Sequence, residues 1–546
     1  MKPYTTRLVI AAVAIMGVAR PLLAQQHQAH SAATAPSAEV PLYRNLGSHH
    51  YAITTRSPVA QQYFDQGLRL VWAFNHAEAI RSFAEGERVD STCAMCAWGV
   101  AFALGSHING GMDSVAGDAA FRAIQRARRH LTRIAPRERA LVVALEARYA
   151  RVPRADRAGL DSAWARAIGA AAERNRDDLE MQVLHADALM NLSPWNYWDA
   201  SGAPRPGTTV LINQLERVLR IDRNHPGACH LFIHAVEARE PSRGLACAER
   251  LASAMPGAGH LVHMPGHIYI RVGRYADAIR VNQHAVHADG ELLEGPGVAR
   301  RGLYASGYYP HNYHFLAFAA SMAGMSKLAI ESARETAKRL GPEAVKEAPW
   351  VESVTPIVPL TLVTFSRWSE ILAQPEPLRD APFMAAMTWY ARGVAHVATG
   401  NEAASLRALE RVRTLAAAYP AGDNGTALHI AGHALQGEIA LRRGRAAEAV
   451  RAFREAVRLE DGLTYNEPPT WYYPMRRSLG AALLASGMAA EAELAYREDL
   501  ARFPENGWSL FGLAQSLEKQ GKTAEARRVR AQFQRAWKDA DIRLDG

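Results

Sequence analysis

No part of the chain constrains its fold more than residues 259 to 290, GHLVHMPGHIYIRVGRYADAIRVNQHAVHADG. Set in a unit of about 34 residues, a length typical of stacked helical hairpins, the stretch puts Gly266 at position 8, Tyr269 at 11, Ala278 at 20 and Ala285 at 27. Small residues at such places let two antiparallel helices approach closely, and large ones fill the space between them. In the same register His260, His263 and His267 take positions 2, 5 and 9 of the first helix, which share one stripe.

A chain of 546 residues is too long for one compact core, so the repeat favours one extended array. Other segments keep the register. Gly67, Ala79, Phe83 and Gly86 fall at positions 8, 20, 24 and 27 of a first unit, and Gly244, Ala248, Leu251 and Pro256 at 20, 24, 27 and 32 of the unit before residue 259. Ala317, Ala329 and Ala333 repeat it, as do Gly437, Ala449, Phe453 and Ala456, then Gly480, Ala492, Tyr496 and Pro504. No stretch alternates with the period of a strand, and the fold class expected is all-α, a solenoid of helix-turn-helix repeats. Three segments interrupt it: HINGGMDS from His107, WNYWDASGAPRPGT from Trp195, and the Gly- and Pro-rich run Leu292 to Asn312. NEPPTWYYPMRR from Asn466 reads as the entrance of a first helix. The expected organisation is an N-terminal solenoid over 51–347, a Pro-rich connection over 348–382 and a C-terminal array over 383–546.

The first 24 residues read as a secretory signal: Lys2 and Arg7 lead an apolar run that ends before the small residue Ala24. The run is too short to span a bilayer, so the mature chain is not expected to be membrane-embedded. Residues 25–50 read as a disordered leader, and the expected location is periplasmic or secreted. Without Lys2, Arg7 and Arg20 the net charge of +9 falls to +6. Export makes nucleic acid a poor partner for that basic excess, whereas anionic ligands stay open.

The repeat positions resemble those of the tetratricopeptide repeat superfamily from about Tyr51 to the end, as in exported bacterial-type proteins of that kind. The resemblance implies an α-solenoid whose first helices line a concave groove for a peptide, a partner protein or a small ligand. It places His260, His263, His267, His311 and His314 on that groove. Members that grip a terminal carboxylate carry basic or amide residues at first-helix positions 2, 5, 6 and 9; imidazoles stand at the matching places here, so that clamp is not reproduced.

Chemistry, on sequence alone, points to histidine pairs. His230 and His234 are four apart with Glu237 three further on, His263 and His267 four apart, His311 and His314 three apart, and His429 and His433 four apart. Such spacings put both rings on one helix face, where a metal ion can take two ligands from one rigid element. His230, His234, Glu237, His263 and His267 form the candidate set for zinc, iron or copper, while His429 and His433 are assigned to packing. Cys93 and Cys96 are read as a local disulfide, since Ala97 stands where haem attachment needs a histidine. There is no phosphate loop, no His-Glu-x-x-His and no nucleophile elbow. Two functional readings follow: an exported binding scaffold with a histidine-lined groove, and a metal-dependent enzyme with Glu237 as ligand or base.

Overall fold

The computed structural model describes residues 40–544 apart from 155, 376–379 and 472, so the expected signal and most of the expected leader lie outside it. Helical hairpins follow one another from Pro58 to Ala536, and each helix packs on the next while first helices also touch the first helix of the following hairpin. Among the described residues there are no strands, only the isolated bridges His107↔Gly110 and Trp198↔Pro204. The fold is an all-α solenoid of helix-turn-helix hairpins.

The registered small residues act as expected. A Cβ on Gly67 would stand 2.5 Å from the Phe83 ring, so the hairpin Pro58–Trp72 and His76–Val89 closes only because position 8 carries no side chain. Phe83 is fully buried, as are Ala79 and Trp72.

Residues 40–50 differ from the expected disordered leader. Leu46 and Val40 are buried, Tyr63 donates to the Val40 carbonyl at 2.8 Å and Gln66 to that of Pro41 at 2.9 Å. Apolar anchors in a polar stretch are what dock it along the first hairpin. Residues 348–382 hold three short helical pieces, Pro349–Val354, Ile357–Thr364 and Trp368–Ala373. The middle one packs on both Ser326–Arg339 and Pro382–Ala398.

The far end of the chain returns to the middle. Trp508 Nε1 donates to the Ser321 carbonyl at 2.9 Å, the Asp541 carboxylate accepts from the Ser326 and Lys327 amides at 2.6 and 2.9 Å, and the Trp537 ring covers Gly324. No helix among the described residues is long and apolar enough to cross a membrane.

Candidate metal centre

The helix Pro226–Val236 is buried along its whole length and carries His230 and His234 one turn apart. His230 Nδ1 donates to the Trp72 carbonyl at 2.6 Å, one of the acceptors that a helix leaves open at its C-terminal end. Because a carbonyl only accepts, that bond fixes the proton on Nδ1 and leaves a lone pair on Nε2. This Nε2 faces His234 Nε2 at 3.1 Å, and His234 turns its other nitrogen, Nδ1, to Glu237 Oε1 at 3.2 Å.

The same construction recurs one hairpin later. His263 and His267 lie on Gly259–His263 and Pro265–Arg271, helical segments joined through Met264, where Pro265 removes one backbone donor. His263 Nδ1 donates to Asn282 Oδ1 at 2.7 Å, an orientation set by the Asn282 amide donating to the Ala278 carbonyl at 2.8 Å. His267 Nδ1 stands 2.7 Å from Glu237 Oε2 and 3.1 Å from Glu467 Oε2. The two Nε2 atoms again face each other, at 2.9 Å.

Each pair gains a third ring. One donor atom from each of His230, His234 and His260 lies within 4.8 Å of the others, and so it is for His263, His267 and His311. Neither ring nitrogen of His260 has a hydrogen-bond partner, although the residue is buried, and His311 Nδ1 has none either. Two imidazole nitrogens bound to one ion at roughly 2.0–2.1 Å in tetrahedral geometry stand about 3.4 Å apart. The facing pairs, at 3.1 and 2.9 Å, come within about 0.5 Å of that separation. With lone pairs on both atoms such a contact is repulsive, so each pair requires a proton or a cation between its members.

Electrostatics point the same way. Burial, reinforced by the neighbouring imidazoles, holds His230, His260, His263 and His311 well below the ordinary imidazole range, and burial lowers His234 as well. Neutral rings are the form that binds metals. Burial also lowers His267, but Glu237 and Glu467 outweigh it and raise that ring, while burial and then Glu237 raise Glu467. In the absence of an ion His267 therefore supplies the proton that its contact with His263 requires.

The histidines do not line an open groove. His230 and His263 are fully buried, His260, His234, His267 and His314 nearly so, and His311 half-buried. The three segments that interrupt the repeat, with the helix entrance from Asn466, are what close the space. Trp195 lies edge-on against His234 with ring centres 4.9 Å apart, and its indole N–H is held by Ile108 and Asn109 from the first insertion. Tyr308, at the end of the π-helical turn Tyr304–Tyr308, covers His260 at 4.4 Å. Glu467 arrives from the helix entrance that begins at Asn466.

Of the expected groove residues, His260, His263, His267 and His311 come together, whereas His314 stands apart from both triads with its ring lowered to about 3 by burial. His429 is exposed and His433 half-buried, so that pair lies at the surface beside Arg413 and not in the packing to which its place in the repeat assigned it. Glu237 stands behind the rings, against their Nδ1 atoms. Cys93 and Cys96 are joined, and Cys229 and Cys247 are buried thiols. Sequence reasoning missed Asn282 and Glu467, and also Phe74, whose ring lies 4.2 Å from His230 and 5.5 Å from His260. Phe74 holds φ at 55°, strain of the kind that collects at functional sites.

No family model matches the sequence, and no curated protein does. Solved structures similar to it include a human IFIT1 dimer with m7Gppp-AAAA, at 12 % identity over 90 % of this chain and 92 % of that chain with a TM-score of 0.32. The APC/C hetero-tetramer Cut9–Hcn1 matches at 12 % over 88 % and 90 % with a TM-score of 0.30. The TPR domain of P58(IPK) matches at 12 % over 85 % and 99 % with a TM-score of 0.22. At that identity and those scores the neighbours fix neither a ligand nor a partner for this chain.

Proposed function

We propose that this helical-repeat scaffold is a metalloprotein, and that His230, His234, His260, His263, His267 and His311 hold a transition metal inside it. One observation carries the reading: two pairs of Nε2 atoms face each other at 3.1 and 2.9 Å, and every other nitrogen of those four rings stands against a carbonyl, amide or carboxylate oxygen. Metal-binding histidines are oriented in this way by their second nitrogens. The ligand set suits zinc, iron or copper. An exported, oxidising setting accords with the Cys93–Cys96 bond.

The test is metal analysis of the purified full chain beside a His263→Ala, His267→Ala double variant and a His429→Ala, His433→Ala control. Stoichiometric metal is expected in the unaltered chain and the control, with at least half of it lost from the first variant while circular dichroism stays helical. A chain that binds none of the three metals after dialysis against each would end the proposal.

A further inference from the structure

The centre has more ligands than one ion uses. We infer that it takes two ions, one on each histidine triad. This rests on the reading of the histidines as a metal centre and adds the number of ions to it.

The count follows from how the rings are tied. Each facing Nε2 pair closes on itself, at 3.1 Å for His230 and His234 and at 2.9 Å for His263 and His267. Glu237 lies between the pairs, with one carboxylate oxygen 3.2 Å from His234 Nδ1 and the other 2.7 Å from His267 Nδ1. A ring whose Nδ1 is on that carboxylate sends its Nε2 away from it, so the two lone-pair sets open on separate points. Each set also has its own third ring, His260 for the first and His311 for the second.

The experiment is a titration of the metal-free full-length protein with zinc(II) against a chromophoric zinc(II) chelator, with iron(II) and copper(I) titrated in parallel without oxygen. His260→Ala and His311→Ala are titrated alongside, because neither ring makes a hydrogen bond that the substitution would break. Two equivalents of one of these metals are expected in the unaltered chain and one in each variant, the missing ion binding at least 100-fold more weakly. One equivalent, weakened by both variants, would overturn the pair while leaving the metalloprotein reading intact; no binding of any of the three would remove both. If a variant fails to fold, the unaltered chain decides: a second tight equivalent supports the inference and saturation at one overturns it.

Discussion

Asn282 decides which nitrogen of His263 faces the centre. It is fully buried, its amide is used by the Ala278 carbonyl, and its oxygen therefore has one partner to accept from, the His263 Nδ1 proton at 2.7 Å. Removing it leaves His263 free to turn or to carry its proton on Nε2. Asn282→Ala is expected to weaken metal binding about 10–100-fold and to cost about 1–3 kcal/mol of stability for the broken buried bond. Competition titration checks the first and denaturant unfolding the second; an affinity loss below threefold would mean that the ring is positioned by something else. The histidine pairs were legible because a helix puts residues four apart on one face whatever the surroundings. Asn282 and Glu467 were not, since they reach the rings from 19 residues or more away and carry no spacing that marks them. His311 and His314 show the converse: an equally good spacing, from which only His311 joins a triad.

The hairpins explain why the array was readable and its purpose was not. Register rests on close approaches such as that at Gly437, where an added Cβ would stand 2.6 Å from the Phe453 ring. Gly437→Val is expected to destabilise the chain by about 1–3 kcal/mol through overpacking, with metal content per folded chain unchanged because the triads lie on other hairpins. Urea unfolding followed by helicity measures it, and a midpoint equal to that of the unaltered chain would refute the packing role. What a repeat pattern conveys is which small residue meets which large one; it is silent about inserted segments. Those segments form a π-helical turn and a loop pinned by the Trp195 indole, each visible only as a break, while the segment that brings Glu467 was legible only as a helix entrance. Phe74 marks the same limit. It takes a left-handed turn position that glycine fills in later hairpins, such as Gly273 and Gly324, and it places an aromatic ring among imidazoles where the pattern alone calls for no side chain.

An open solenoid transmits nothing between distant repeats, because each touches only its neighbours, and its terminal repeats fray alone. Here the return of the C-terminal helices changes that coupling. The helix Gly507–Lys519 is tied through Trp508 to the Ser321 carbonyl on Tyr309–Met322, the helix that also carries His311. The segment that supplies Glu467 leads directly into the helix Met475–Ala485, whose Arg477 lies over the Trp508 ring at 5.3 Å. Metal centre and closure thus share a helix, and opening one loosens the other. Trp508→Ala is expected to cost about 2–3 kcal/mol, below the roughly 3–5 of a fully buried tryptophan because the ring is half-exposed. It should also raise hydrogen exchange in Tyr309–Met322 together with Gly507–Lys519, and release the ion of the second triad several-fold faster than that of the first. Exchange followed by mass spectrometry distinguishes this from local damage. Protection lost only within Gly507–Lys519, with both ions leaving at their original rates, would mean that the return is a passive contact and that the chain behaves as an open array.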